Sequence, residues 1–501
     1  MSSPTQSAPS GPSSAAPANS SEALRARYGE RYRWLLLMTV MMGTMASVMS
    51  STVVNVAIPG LSQHFGLGQE RAQWVTSGFM VAMTVSMLTT PWLLARFGYR
   101  ATYAGCMWLL MAGGLGGGFA QNFTLVLAAR VAEGLAAGVV QPIPAIIIMR
   151  AFQPHEQGRA IGMFTMGVVL APALGPSIGG VLVDWFGWRS IFFMVAPFCV
   201  ASLWLGRRFI PTTAPGGVTA SRDEPLDWLG LAVGTIGTMS LLDGLVSLRT
   251  GPASYAGGML ALSAACFAAF IWWQRYRALH KKAPLMNLRL FAWRPFAMGS
   301  LVALIYGTAL FGSTYLLPVY MLMGLGMSAS HVGTVMLPSG LVLAGAIAIV
   351  SRWADRRPAN ELVSIGLATL ALSFALMVTI GSHMGYQATL GLLVIYSTIG
   401  RIGLGFILPS LNLGAMRGLE KDLISQGSSV ISFVRQLGGA TGVSLCGIML
   451  EWRLAAHGAT LASNAHPAAR LAAFNEVFLM LAALCALAML AARQLGSHSR
   501  L

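Results

Sequence analysis

The sequence predicts an all-α, polytopic membrane protein, and three observations carry that prediction. Of 501 residues, 55% are hydrophobic and only 10% charged, with a mean hydropathy of +0.67, whereas soluble domains carry roughly 25% charged residues. The apolar residues fall into fourteen runs of about 20, the length a helix needs to cross a bilayer core. Basic residues alternate with those runs. Numbering the loops from an inside N-terminus puts 24 of the 32 Lys and Arg on that side, five outside and three within runs. That is the positive-inside asymmetry, and it puts both termini in the cytoplasm.

Taken in order, residues 1–30 are rich in Ser, Pro and Ala and read as a disordered cytoplasmic tail. No cleavable signal is visible, so the first run is expected to act as an uncleaved anchor. The runs lie near 34–58, 73–94, 101–120, 125–149, 158–182, 189–209, 227–248, 255–274, 296–320, 331–351, 361–381, 388–411, 427–450 and 471–492. Grouped as six, two and six, they give a first bundle at 31–210, a linker and inserted hairpin at 211–283, and a second bundle at 284–501. A short echo supports duplication. Ala95-Arg96-Phe97-Gly98-Tyr99-Arg100 follows the second run and Ala354-Asp355-Arg356-Arg357 the tenth, as parallel repeats would have it.

Charged residues inside the runs are few and therefore informative, since each costs roughly 2.5–3.5 kcal/mol at mid-bilayer on insertion scales. Arg130 and Glu133 are three apart, hence neighbours on one helical face. Either Glu133 takes up and releases a proton under the influence of Arg130, or the two form a static pair. Burial favours the acid and an adjacent cation the carboxylate. Asp243 is a second proton candidate, with a structural role in the hairpin as its alternative. Arg401 and Arg435 would attract anionic substrate groups, pair with Asp243, or serve as structural partners. In the fifth run, Pro172, Gly175, Pro176 and Gly179 are poor choices for a soluble helix but tolerable in a membrane. Gly175 and Gly179 share a face and admit a close neighbour, in a moving core or at a static crossing.

Several classes are excluded. The net charge of +16 is explained by loop placement, with a cluster from Arg275 to Arg294 facing anionic lipid, so nucleic acid is not an expected partner. The five cysteines and eight histidines show no ligand spacing, no metal site is expected, and no phosphate-binding loop appears. Neither an enzyme nor an ATP-driven pump is indicated, and no cofactor beyond a proton gradient is expected.

The ordered strings Thr52-Val53-Val54-Asn55-Val56-Ala57-Ile58-Pro59, Gln73-Trp74-Val75-Thr76, Arg130-Val131-Ala132-Glu133-Gly134, Gly175-Pro176-Ser177-Ile178-Gly179-Gly180, Asp227-Trp228-Leu229-Gly230 and Pro284-Leu285-Met286-Asn287-Leu288-Arg289-Leu290-Phe291 carry a resemblance. Over about residues 34–450 the chain resembles the fourteen-helix drug:proton antiporters (DHA2) of the major facilitator superfamily, the group of the EmrB-like exporters. That resemblance implies the superfamily fold, two six-helix bundles with a two-helix insertion. It also implies a bacterial inner-membrane location, multidrug efflux and antibiotic resistance, and a periplasmic adaptor partner where the host has two membranes. The outside loop from about Glu451 to Arg470 is the expected place for that contact.

The departures matter too. The family's first-helix acid falls at Ser50, and the loop after the second helix has Pro91 and Ala95 where Gly and Asp are usual. Arg96, Gly98 and Arg100 of that loop motif remain, and Asp355 with Arg356 in its second-half counterpart. The resemblance casts these, with the fifth-run motif, as conformational elements that lock the cytoplasmic side. Met45, Met49, Ser50, Asn55 and Trp74 flank the first two motifs and are expected in a substrate cavity, with Tyr306, Tyr315, Tyr320, Arg401 and Arg435 from the other half. Flexible Met and flat aromatics suit varied apolar molecules, although most also suit lipid. The expected activity is export of lipophilic or cationic drug-like compounds by proton antiport and alternating access. A proton-independent or uptake carrier, and a non-transporting membrane sensor, are the alternatives.

Overall fold

The computed structural model describes residues 20–67, 69–212, 225–327, 329–381, 384–459 and 467–496. The described residues are helical almost throughout. In chain order the first half holds α1 (Ser21–Tyr28), α2 (Tyr32–Phe65), α3 (Gln69–Ser86), α4 (Thr90–Phe119), α5 (Phe123–Val140), α6 (Ile143–Ala151), α7 (Gln157–Phe186), α8 (Ser190–Phe193) and α9 (Val195–Phe209). A hairpin of α10 (Trp228–Thr250) and α11 (Ala253–Leu279) follows. The second half holds α12 (Arg294–Val319), α13 (Ala329–Ala354), α14 (Ala359–Met377), α15 (Tyr386–Met416), α16 (Ile424–Ala456) and α17 (Pro467–Ala492).

Twelve helices among the described residues are long and apolar enough to cross a membrane, against fourteen expected runs. The difference falls at two places. The span Trp74–Phe119 contains two expected runs, 73–94 and 101–120, separated by Gly98, whose φ of 78° and ψ of 171° are not helical. Glycine alone adopts that backbone without strain, and a Cβ there would also meet the Thr212 carbonyl at 2.9 Å. The expected run at 158–182 is α7, 30 residues long. Pro172, Gly175 and Pro176 lie on this helix, but their surroundings fall outside the described residues.

Local chemistry sets several helix starts. Asn122 accepts from the Leu125 N–H at 2.8 Å to open α5. Asp227 opens α10 by accepting from Gly230 N–H at 2.9 Å, and also takes bonds from Trp273 and Gln274 on α11 at 2.8 and 2.9 Å. One buried carboxylate thus caps the hairpin's first helix and ties it to the second. This gives the Asp227-Trp228-Leu229-Gly230 string a physical reason.

Helices pack closely where small residues meet. Side-chain atoms at Gly134 or Gly138 of α5 would overlap the α3 backbone, and at Gly307, Gly438 or Gly442 they would overlap the α12–α16 crossing. Without a hydrophobic drive between helices in lipid, such close backbone approach supplies the packing energy. Within the first half α2 packs on α7 and α9, and α5 on α3 and α4; within the second, α12 packs on α16, and α14 on α15 and α17. The halves meet chiefly where α7 crosses α13.

Candidate functional site

The first-half site is built from α2, α3 and α5. Arg130 and Glu133, one turn apart on α5, form a salt bridge with side chains 2% and 1% exposed. Arg130 Nη1 also donates to Ser50 Oγ at 2.8 Å, its Nη2 to the Ser50 carbonyl at 3.2 Å, and its Nε to the Val75 carbonyl at 3.4 Å. Ser50 Oγ in turn donates to Glu133 Oε2 at 3.3 Å. The guanidinium lies over the Phe79 ring at 4.2 Å from its centroid, a favourable cation–π placement. Gly113 and Gly114 of α4 leave the room that the Glu133 side chain occupies: a Cβ at Gly113 would stand 2.6 Å from Glu133 Cγ.

The second-half site has a different charge balance. Tyr306 on α12 is buried, and the charges of both Arg401 on α15 and Arg435 on α16 bear on its hydroxyl. Among the described residues neither arginine makes an ion pair or hydrogen bond. At 1.5 Å per residue, Tyr306 and Arg435 lie roughly 16–18 Å along α12 and α16 from their first residues, and Arg401 about 22 Å from the end of α15. Those three termini share one end of the molecule, where Gly299 approaches Ala415 and Gly427 approaches Phe296. The two cations therefore sit well inside their helices. Beside them, Gln436 Nε2 reaches Met80 Sδ of α3 at 3.4 Å, and Met80 adjoins the Phe79 that carries Arg130. Residues next in sequence to Arg435 and to Phe79 thus touch across the boundary between halves.

A third group joins the halves at the end where α2 begins. Asp355, just after α13, accepts from the Gly158 N–H at 2.6 Å and the Arg159 N–H at 3.1 Å, the second and third residues of α7. Those are the donors an N-cap side chain normally satisfies. The residue in the local cap position, Glu156, makes no such bond, so the cap comes from the other half. Burial holds the Asp355 carboxyl above the usual aspartate value, against the opposing pull of the two N–H groups, Arg417 and His155. Nearby, Arg150 Nη2 donates to the Lys421 carbonyl and Ser428 Oγ to the Pro142 carbonyl, both at 2.9 Å. A side chain at Gly162 would overlap Ser351 of α13.

Other expected site residues lie elsewhere. Asp243 accepts from Tyr255 Oη at 2.7 Å within the hairpin and joins neither arginine group. Tyr320 is a correction: it is fully buried, packed against Phe474 and Phe478 in the second-half core. Tyr315 lies near Arg249, which pairs with Glu451 at 2.7 Å. Trp74 lines an apolar cavity of about 600 Å³ between α3, α4, α5 and the hairpin's α10, with Leu93, Phe97, Leu109 and Met239. Asn55 is exposed and accepts from Thr76 Oγ1 at 3.2 Å. Met45 is half-buried, and Met49, one residue before Ser50, is buried. Gly179 abuts Val53 of α2, a Cβ there standing 2.8 Å from Val53 Cγ1. Arg96 and Arg356 are exposed, while Arg100 is half-buried beside Tyr32.

Sequence reasoning missed Phe79, Gly158, Gly162 and Ser351. Only the Gly-x-x-x-Gly spacing of 158 and 162 offered a signal.

The chain is similar to known proteins. A family model described as Major Facilitator Superfamily matches residues 40–443. The chain is 30% identical over 434 residues to the multidrug resistance protein B homolog of Mycobacterium tuberculosis (strain ATCC 25618 / H37Rv), covering 85% of this chain and 78% of that one. It is 24% identical over 423 residues to the lincomycin resistance protein LmrB of Bacillus subtilis (strain 168), covering 84% and 86%. Among solved structures, the proton:xylose symporter XylE superposes with a TM-score of 0.64 at 13% identity over 92% of this chain and 95% of that one, a likeness of fold alone.

Proposed function

The chain belongs to the major facilitator superfamily, and from that premise we propose that it is a secondary active exporter of amphipathic, drug-like small molecules, coupled to protons by antiport. It is a multi-pass membrane transporter and not an enzyme. Its relatives' names point to multidrug and lincomycin resistance. The single observation that carries the coupling is the buried Ser50–Arg130–Glu133 group. Resemblance expects an acid in the first span, and this chain has Ser50 there. The hydroxyl of Ser50 instead touches an acid one turn from Arg130, so the carboxylate has moved to α5 while the site has stayed in place. A proton on Glu133 removes the charge that holds Arg130. Arg130 then turns further to the Ser50 and Val75 oxygens it already contacts, which links protonation to the fit of α2 and α3 against α5.

Alternating access follows from the two halves moving about this depth. Reading the N-terminal end as cytoplasmic in a bacterial inner membrane, the Asp355 cap, the Arg150–Lys421 bond and the Ser428–Pro142 bond hold that side shut. The geometry is then that of an outward-facing carrier. An adaptor contact would fall on the outer loop after α16, part of which lies outside the described residues.

The test is substrate-induced proton movement in reconstituted vesicles, wild type against Glu133→Gln. Proton movement in the wild type that vanishes in the variant supports the assignment. Transport without proton movement would favour a proton-independent carrier, a reading to which the ready-made Arg130–Glu133 pair also lends itself.

A further inference from the structure

We propose that Arg401 and Arg435 form an anion-binding subsite, and that the molecules this protein carries are amphipathic anions. The inference rests on the transporter reading above and narrows its substrate class. Its basis is charge placed without compensation. In the first half, Arg130 is matched by Glu133 and the group is neutral. In the second half Arg401 and Arg435 lie at similar depth to the buried Tyr306, with the Arg435 carbonyl packed against Gly307 beside it, and no carboxylate among the described residues pairs with either arginine. Of the acids nearest in the chain, Glu420 and Asp422 are exposed beyond the end of α15, while Glu451 on α16 is held by Arg249 and Glu476 on α17 by Arg453 and His457. Asp243, the one hairpin acid that could have served, is taken by Tyr255.

Guanidinium groups keep their charge at any working pH. Buried cations in a membrane protein face a cavity or a partner. The protein supplies no partner among its described residues, so a ligand carrying carboxylate, sulfonate or phosphate oxygens fits the site. Arg presents a planar fork of donors to such groups, and the Tyr306 hydroxyl offers one more. Gln436, the next residue to Arg435 on α16, reaches Met80 of the other half, so α16 carries both the arginine and a contact at the boundary that rearranges. A lipophilic cation would meet two like charges at the same place. Exporting a monoanion for an incoming proton also moves two charges in the direction that an inside-negative potential favours, whereas a monocation exchanged for a proton moves none.

The experiment measures equilibrium binding to the full-length protein in lipid nanodiscs, without any gradient. The probes are 2-naphthalenesulfonate, a permanently charged amphipathic anion, and tetraphenylphosphonium as the cation. The expected result is saturable binding of the sulfonate, weakened roughly tenfold or more by Arg401→Gln or Arg435→Gln as a charge-assisted bond is lost. Arg401→Lys and Arg435→Lys, which keep the charge, should retain most of that affinity and show that the Gln effect is not misfolding. Asp243→Asn, in the hairpin and apart from both arginines, should bind the sulfonate normally. Absence of sulfonate binding, or affinity unchanged in both Gln variants, would overturn the proposal. So would tighter binding of the phosphonium than of the sulfonate. Should sulfonate binding hold while no proton movement accompanies transport, the antiport reading falls and the anion site stands.

Discussion

Replacing Asp355 with alanine tests whether one half of the protein finishes a helix of the other. The carboxylate satisfies two N–H donors in the first turn of α7, at 2.6 and 3.1 Å, and no local side chain replaces it. Removing an N-cap costs about 0.5–2 kcal/mol. With two donors orphaned the upper part of that range applies, and about 1–2 kcal/mol shifts a two-state ratio roughly 5- to 30-fold. The assay is a distance distribution between spin labels at Gln153 and Asp422, both exposed and on opposite halves, in a background without the native cysteines. The wild type should favour the short distance, Asp355→Ala the long one, and Asp355→Asn, with one oxygen left, should fall between.

The pH dependence has a definite sign. Burial raises the Asp355 carboxyl, so the closed end binds that proton more tightly than an open end where the carboxyl meets water. The proton's contribution to closure is present at low pH and is lost as pH rises through the raised value, leaving the closure that the ionised cap supplies. The wild type should show this trend and Asp355→Ala should not, with His155→Gln as the control for the neighbouring imidazole. Identical distributions in wild type and Asp355→Ala would refute the reasoning.

Three further outcomes are expected. Glu133→Gln should abolish proton-coupled efflux at normal membrane abundance, and full drug resistance in cells carrying it would remove Glu133 from the coupling role. Gly162→Leu should drive α7 off Ser351 of α13 and give long spin-label distances with transport lost; an active variant would show that the helices need not approach so closely. Ser50→Ala removes a buried hydroxyl bonded to both Arg130 and Glu133 and should destabilise by about 1–3 kcal/mol, read as a lowered midpoint of thermal unfolding in detergent.

The fold class was legible because lipid imposes it: low charge, apolar runs of about twenty residues and lopsided loop charges do not arise together in a chain folded in water. The pairing of Arg130 with Glu133 was legible for a local reason, since residues three apart on a helix must meet. Contacts between distant segments were not. Nothing in the chain announces that Asp355 caps a helix beginning nearly two hundred residues earlier, or that Phe79 lies beneath Arg130. The tyrosines on and just after α12 could have been sorted by helix geometry alone. At 100° per residue Tyr315 points away from Tyr306, and Tyr320, though nearly on the same face, stands about 21 Å further along. They could not line one cavity together. In a membrane helix apolar residues cover every side, so the usual contrast between wet and buried faces gives little guidance on which side matters.

The bare face of α7 has a consequence for how readily the molecule can change shape. Gly158 and Gly162 meet Asp355 and Ser351 of the other half, while Gly167 and Gly179 meet Met41 and Val53 of its own. Glycine has no rotamers to freeze, so joining and parting there costs no side-chain entropy on the α7 side. Interlocked long side chains would have to withdraw from one another before the surfaces could slide. Here the resistance to sliding lies in a handful of polar bonds, each worth about as much as a modest ligand or a single proton can supply. The surface behaves as a bearing with a light latch: low friction along the track, and a catch that small energies can lift.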